Sequence, residues 1–432
     1  MADRPWTTRS RLGRLLARLN SGRDASLLIA GQAVRAAGYG FTAVLLGALL
    51  AARGYSHLRA GVVLTALIAG TALSSLVVGA LADRVGRRRS YAVFFLGVAA
   101  AGTVVAVGVP FWVLLVVALT GTLSTDVVDN GPATTLEQAM LAAEDAGTAR
   151  VYGLYNAVGA ATGALGALAA ALPGLAGGVS GWWFAVLIPV GLAGAVCAWR
   201  LSPAVEVGGG PLTLADAVSA RSRLGPSRRV VHRLAALFAV DAGGGGLVTT
   251  GFLAYYLAQR YSVSVTQLGW LFFTIAVIQA VSVTIAPRLA RRFGLVATMV
   301  GTHLPSNALL ASVAFAPTFP VAVGLLLART CLSQMDVPTR QALVMTVVTP
   351  GERTMAAAVT NAARYTVRPI GPLVAGLVQQ LALGAPLLVA GAIKGGYDLA
   401  LWRWARREGL ASRPKPADPS AAEAATAGDG PA

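Results

Sequence analysis

Two apolar runs, at about residues 59–82 and 91–109, are joined by Gly79-Ala80-Leu81-Ala82-Asp83-Arg84-Val85-Gly86-Arg87-Arg88-Arg89. One acid, a helix-breaking glycine and four arginines crowd a hydrophilic loop about seven residues long. A charged side chain at the centre of a bilayer costs about 2.5–3.5 kcal/mol even on insertion scales, and loop backbone cannot be satisfied in hydrocarbon. The loop therefore lies at a membrane surface, and its arginine excess predicts the cytoplasmic one. Both flanking runs must then cross the bilayer. The remainder agrees: the 432 residues are 56% hydrophobic and only 12% charged. That is too apolar for a soluble chain of this size, so a polytopic membrane protein is expected.

The formal net charge of +17 raises the alternative of a nucleic-acid binder. The placement of the charges argues against it. Of the 35 basic residues, about 26 fall in segments assigned to the cytoplasm, three (Arg53, Arg59, Arg260) in outer loops and six inside apolar segments. Such asymmetry is an insertion signature rather than a nucleic-acid footprint, and no nucleic-acid partner is expected. Cys197 and Cys331 lie in apolar stretches without metal-ligand spacing and read as buried structural thiols. Neither a metal nor a cofactor is expected.

Twelve apolar segments, spans 1 to 12, are each long enough to cross roughly 30 Å of hydrocarbon at about 1.5 Å per residue. They run at about 25–52, 59–82, 91–109, 111–142, 150–172, 181–200, 231–258, 266–290, 295–315, 319–349, 355–383 and 386–404. Pro and Gly clusters mark outer turns at Pro110, Pro173 to Gly181, Pro317 to Pro320 and Gly384 to Pro386. Residues 1–24 form a basic cytoplasmic segment. Its Leu12, Leu15, Leu16 and Leu19 suit an amphipathic helix on the inner leaflet, and a plain orienting tail fits equally. The charged stretch is too long for a cleavable signal. The interval 201–230, with Pro203, Gly208 to Pro211 and Arg221, Arg223, Arg228 and Arg229, predicts a cytoplasmic linker. It divides a six-helix bundle at 25–200 from another at 231–404, and residues 405–432 read as a disordered cytoplasmic tail. The expectation is a monomer in the plasma (inner) membrane, with both termini cytoplasmic.

The halves repeat one another. Val34-Arg35-Ala36 answers Val240-Asp241-Ala242, and Tyr55-Ser56 answers Tyr261-Ser262, both at an offset of 206. Leu81-Ala82-x-Arg84-x-Gly86 answers Leu289-Ala290-x-Arg292-x-Gly294 at 208. Gln138-Ala139 followed by Arg150 answers Gln341-Ala342 followed by Arg353 at 203. Four matches in order, with slowly drifting offsets, point to a parallel repeat, one route to alternating access.

On these residues the chain resembles the major facilitator superfamily. Gly79-x-Leu81-x-Asp83-Arg84-x-Gly86-Arg87-Arg88 matches that family's signature between helices 2 and 3, and a degenerate copy at 287–294 falls between helices 8 and 9. The resemblance covers roughly 25–404. It implies an all-α membrane fold of twelve transmembrane helices in two pseudosymmetric six-helix bundles. It further implies that spans 1, 4, 7 and 10 line a central cavity while spans 3, 6, 9 and 12 face lipid. By the same resemblance Asp83 approaches the start of span 11 near Thr354 and latches the outward-facing state, where a carboxylate at a helix N-terminus gains about 0.3–1 kcal/mol. The chain also departs from the family pattern. Span 5 carries Gly159, Gly163 and Gly166 without the antiporter-associated proline, span 11 carries Gly371-Pro372 and Gly376 instead, and span 4 contains no arginine.

Ionisable groups within spans are functional candidates because they are costly. Arg35 lies in span 1; Asp126, Asp129 and Glu137 in span 4; Asp241 in span 7; Arg329, Asp336 and Arg340 in span 10. Arg35 is expected to face Asp126 or Asp129, and Asp241 to face Arg329. The functional reading makes these groups substrate and proton sites; the competing reading makes them static salt bridges. Arg364 and Arg368, four apart on span 11, read as structural or inner-gate charges, able to pair with Glu137 across the bundle interface. Lys394 and Asp398 read as a local ion pair on a peripheral helix. Gly243 to Gly246 is too long a glycine run for a comfortable helix and predicts an unwound or bending segment beside Asp241.

The expected function is secondary active transport of a small molecule by alternating access, with proton-coupled efflux as the leading form. Uptake or facilitated diffusion of an organic anion is the transport alternative. A membrane-embedded enzyme is disfavoured: no Ser/His/Asp grouping occurs, and His57 and His303 stand apart in sequence without evident partners. A transporter-like receptor would call for a signalling domain that the sequence does not display.

Overall fold

The computed structural model describes residues 9–125, 131–142, 148–206 and 224–410, with backbone alone for 9–21, 79, 80, 83, 142, 148–150, 350 and 354. Among the described residues every regular element is helical, as a bilayer demands of a chain that does not close a barrel. Spans 1, 2 and 3 are Arg9–Ala52, His57–Val85 and Arg87–Ala106. Span 4 is broken into Phe111–Leu119 and Pro132–Ala142, and span 5 is Thr148–Ala169. Span 6 opens with a 3₁₀ turn, Gly181–Val186, and continues as Leu187–Arg200. In the second half, span 7 is Arg228–Gly246 and Thr250–Tyr261, span 8 Val265–Phe293 and span 9 Leu295–Val313. Span 10 is Phe319–Ser333 and Asp336–Val347, span 11 Arg353–Val367 and Ile370–Val378, and span 12 Ala385–Arg407.

Seven of these, spans 1, 2, 3, 5, 6, 7 and 8, are individually long and apolar enough to cross a bilayer. Spans 4, 10 and 11 are interrupted. Spans 9 and 12 are continuous but bury polar side chains, His303, Asn307, Lys394 and Asp398. Large apolar side chains on the outer surface, such as Trp112, Val107 and Leu381, are more than 70% exposed, as a hydrocarbon solvent allows.

The arginine-rich connection is shorter than the seven-residue loop expected of it. Span 2 runs to Val85 and span 3 starts at Arg87, so Gly86 alone makes the turn at φ 101°. Its repeat counterpart Gly294 does the same between spans 8 and 9 at φ 92°. Only glycine adopts such φ without penalty, and each donates its N–H back to the residue four before it, Ala82 or Ala290. The arginines ride on the first and last helical turns: Arg84 and Arg89 are exposed, their long stems letting the charged heads reach water, while Arg87 is buried. The glycine run in span 7 likewise departs from expectation. The helix persists through Gly246 and breaks only at 247–249.

The two six-helix bundles meet chiefly at the end opposite the arginine-rich hinge. There span 1 packs on the second part of span 7, span 2 on the second part of span 11, and span 5 on span 8. The Tyr255 hydroxyl donates to the carbonyl of Tyr55 at 2.8 Å and so accepts from His57 Nδ1 at 3.1 Å. The Thr266 hydroxyl donates to the Ala171 carbonyl at 3.0 Å. Glycines make the seam thin: a Cβ on Gly61 would lie 2.6 Å from the Pro372 oxygen, and one on Gly376 2.7 Å from the His57 oxygen. At the hinge end each bundle packs within itself, Pro132–Ala142 on spans 1 to 3 and Asp336–Val347 on spans 7, 8, 9 and 11.

Candidate functional site

Each bundle buries one charged cluster. In the first, Arg35 of span 1 donates to Glu137 of span 4 at 2.7 Å, with the side chains 1% and 0% exposed. The same guanidinium donates to Thr134 at 3.0 Å and to Gln32. Glu137 further accepts from the Tyr91 hydroxyl of span 3 at 2.6 Å and from the Tyr155 hydroxyl of span 5. The carboxylate thus has three donors from three helices, which is how a buried charge is made tolerable. Gly31 makes room for the Tyr91 hydroxyl and Gly159 for the Gln32 amide.

The sequence did not lead to an expectation that Arg35 and Glu137 meet. Arg35 is bound by Glu137, while Asp126 and Asp129 lie outside the described residues. Glu137 is enclosed by its own bundle rather than paired with Arg364 or Arg368 across the interface.

The second cluster joins four helices. Asp241 of span 7 is held by Lys394 of span 12 at 2.5 Å and, more loosely, by Arg340 of span 10 at 3.4 Å. His303 Nε2 of span 9 lies 3.8 Å from the same carboxylate. Arg340 also holds Asp336 at 3.1 Å, one turn earlier on span 10. Behind them His303 Nδ1 meets Asp398 at 2.8 Å, and the Asn307 amide donates to the other oxygen of Asp398 at 2.8 Å.

Three expectations change here. Asp241 faces Lys394, Arg340 and His303 rather than Arg329; span 10 breaks at 334–335, with Arg329 before the break and Arg340 after it. Lys394 and Asp398 do not pair locally, because both lie on the buried face of span 12 and reach to spans 7 and 9. His303, expected to stand without partners, ties the cluster together, and His57 belongs to the seam at the opposite end. The glycine run explains the approach of span 12. A Cβ on Gly244 would lie 2.7 Å from Lys394 Cγ, so glycine lets the lysine stem cross the helix.

An open recess borders the second cluster, lined by Phe238, Arg340, Gln341, Asn361 and Arg364. The Phe238 ring lies 5.7 Å from the Arg340 guanidinium carbon, a cation–π distance. Gln341 and Asn361 are exposed in it. Arg364 is mostly buried, forms no salt bridge among the described residues, and its Nε has no hydrogen-bond partner. Arg329 Nε is likewise without one. Arg368 sits where span 11 breaks, its carbonyl packed against Gly246. Among the described residues no group of three or more His, Cys, Asp or Glu is placed to hold a metal.

At the hinge, the side chains of Gly79 and Asp83 and that of Thr354 lie outside the described residues, and with them the expected latch. Arg84 is exposed, while Arg87 is buried. The N-terminus of span 3 is capped instead by Glu206, beyond span 6, which accepts from the N–H of Arg87 at 2.6 Å and of Arg88 at 3.2 Å. These are donors a helix start leaves unsatisfied. The Arg88 side chain reaches the Trp199 carbonyl at 3.1 Å. A second carboxylate, Glu352, holds the start of span 7, accepting from Gly225 N–H, from Ser227 N–H at 3.2 Å and from the Thr349 hydroxyl at 2.8 Å. These hydrogen bonds, first those to Ser227 and Gly225, bring its pKa down to about 2. Of the two thiols expected to be buried, Cys197 is half-buried and Cys331 exposed; both are free.

The sequence pattern of the Major Facilitator Superfamily matches residues 28–372. The chain is 26% identical to the uncharacterized membrane protein YJR124C of Saccharomyces cerevisiae, over 82% of this chain and 88% of that one. Its fold is similar to the crystal structure of the nucleoside transporter NupG, with a TM-score of 0.69 at 15% identity, covering 88% of this chain and 97% of that chain. It is similar also to the human organic anion transporter MFSD10, with a TM-score of 0.60 at 21% identity, covering 88% and 99%.

Proposed function

The chain belongs to the Major Facilitator Superfamily, and on that premise we propose that it is a proton-coupled secondary active transporter of a small molecule carrying an anionic group. The observation that carries the cargo's charge is Arg364. Its Nε is buried without a hydrogen-bond partner on the wall of the recess that Arg340 also lines. The carboxylates nearby are engaged: Asp241 by Lys394 and Arg340, Asp336 by Arg340, and Asp398 by His303 and Asn307. A desolvated guanidinium without a carboxylate is costly unless an anion arrives to meet it, and its planar fork suits carboxylate or phosphate oxygens. The likeness to a human organic anion transporter supports the same class.

With the bundles joined at the end opposite the hinge, the recess opens toward the arginine-rich end. The distribution of arginines supports assigning that end to the cytoplasm, which makes this the inward-facing arrangement. Export is the direction expected from the sequence, and import of an organic anion shares the same site chemistry. Purified protein in liposomes, challenged with organic anions, neutral solutes and organic cations under pH gradients of either sign, tests the proposal. Anions should move with protons, the sign of the productive gradient gives the direction, and Arg364→Gln should raise the apparent KM at least tenfold. Proton-linked movement of cations but not of anions would overturn the cargo class.

A further inference from the structure

We propose that His303 is the proton-binding site of the transport cycle, and that proton and anion bind together because a proton on His303 releases Arg340 from Asp241. The inference rests on the anion-transport reading above and goes beyond it by naming the proton's position and the direction of coupling. His303 is 3% exposed. Its Nδ1 lies 2.8 Å from Asp398 Oδ1, while Asn307 donates to Asp398 Oδ2. An ionised carboxylate can only accept, and the Asn307 amide, 3.2 Å from the same Nδ1, makes its shorter bond to Asp398, so Nδ1 is assigned the hydrogen and the ring of the neutral tautomer presents its lone pair at Nε2. That nitrogen is the empty proton position, and it faces Asp241 Oδ1 at 3.8 Å.

The charged and titratable groups of the cluster around this ring come from four other helices. Span 7 supplies Asp241; span 10 Asp336 and Arg340; span 11 Arg364; span 12 Lys394, Tyr397 and Asp398; and span 9 itself only the neutral Asn307. With the ring neutral, Asp241 balances Lys394 on one oxygen and Arg340 on the other. With Nε2 protonated, the same carboxylate faces three cations. The contact to yield is the longer of the two ion pairs that the neutral ring leaves in place, Arg340 at 3.4 Å, because Lys394 is held at 2.5 Å and His303 is fixed by Asp398. Arg340 keeps Asp336 and already lines the recess with Arg364. Two guanidinium groups then face one anion. Binding linkage is reciprocal, so the anion must in turn favour the protonated ring.

The first cluster offers no such position. Glu137 is filled by three donors and Arg35 cannot deprotonate.

The test uses the full chain in liposomes with benzoate, lactate and glycerol 3-phosphate as probes. His303→Gln should reduce proton-driven accumulation of the transported probe at least tenfold and remove the pH dependence of probe-for-probe exchange, which in the parent should quicken as pH falls. Parent-like accumulation by His303→Gln overturns this inference alone; absence of anion transport by the parent overturns the underlying reading as well. Should His303→Gln fail to fold, histidine NMR of the parent decides. The His303 ring, identified against His57→Phe and His232→Gln samples, should gain protonated population at fixed pH when the transported probe is added. A ring whose protonation does not respond to the transported probe overturns the proposal.

Discussion

The seam at Gly61 gives the sharpest handle on alternating access. A Cβ there would lie 2.6 Å from the carbonyl oxygen of Pro372 in the other bundle, whereas ordinary contact begins at 3.4 Å. The shortfall, 3.4 − 2.6 = 0.8 Å, cannot be relieved by a rotamer because the obstructing atom is backbone. Overpacking of this kind costs about 1–3 kcal/mol. That cost falls only on the state in which the seam is closed, since opening it separates span 2 from span 11. At about 1.4 kcal/mol per tenfold, Gly61→Val should shift the balance toward the seam-open state by about 5- to 150-fold. Spin labels at Ala52→Cys and Gln259→Cys, with Cys197 and Cys331 replaced by serine, report the separation across the seam by pulsed EPR in nanodiscs. A longer-distance population should appear in Gly61→Val and be absent from Gly324→Val, whose added Cβ meets nothing within 4 Å. A folded Gly61→Val protein with the parent's distance distribution would refute the reasoning.

Glu137→Gln should lower the apparent melting temperature in detergent by the equivalent of about 3–5 kcal/mol, because Arg35 is left buried without its carboxylate. The Arg35→Leu, Glu137→Leu double variant should recover part of that loss, and a double variant less stable than the single one would contradict the pairing. Glu352→Gln should reduce thermal stability at neutral pH. In the parent the contribution of this group is fully present above its ordinary value of 4.5, diminishes as the unfolded chain protonates below it, and is gone once pH falls through about 2. A parent and variant with parallel stability profiles from pH 7 to 3 would count against that account. His57→Phe removes the donor to Tyr255 at the seam and should also add seam-open population, read with the same label pair; an unchanged distribution would show that the glycine packing alone holds this end.

The fold was legible because hydrocarbon leaves few options. Apolar run length, arginine placement and the turn clusters determine spans and their order without any knowledge of side-chain partners. Where the reading fell short, the missing information was three-dimensional. Gly86 makes the whole hinge because Arg84 and Arg89 reach water from inside helical turns and Arg87 is taken up by the bundle, residues that a tally of hydrophilic positions counts as loop. The glycine run in span 7 stays helical because Lys394 and the Arg368 carbonyl pack against it, replacing the lost side chains with close contact. Lys394 and Asp398 were assigned to a peripheral helix and His303 to no partner, whereas spans 9 and 12, expected to face lipid, each have a second face turned toward span 7.

The charge pairs themselves were within reach of the sequence. Arg35 and Asp241 are repeat equivalents at 206, and the Gln138/Gln341 match at 203 makes Glu137 equivalent to Arg340. Each bundle therefore holds the same pair with its signs exchanged, Arg35 with Glu137 and Asp241 with Arg340. What differs is the surroundings. At the repeat positions of Gln32, Thr134, Tyr91 and Tyr155, which enclose the first pair, stand Phe238, Val337, Met299 and Ala358, none of which has a side-chain hydrogen-bond donor for a carboxylate. Where the second bundle has His303, the first has Phe95. A pair sealed by hydroxyls and amides is held in one arrangement, whereas a pair whose carboxylate is shared among a lysine, an arginine and a histidine has more than one way to distribute its contacts. The inherited helix geometry is common to both bundles. The proposed coupling of a proton to an anion would belong to the second because it lacks the polar seal of the first and holds a titratable ring.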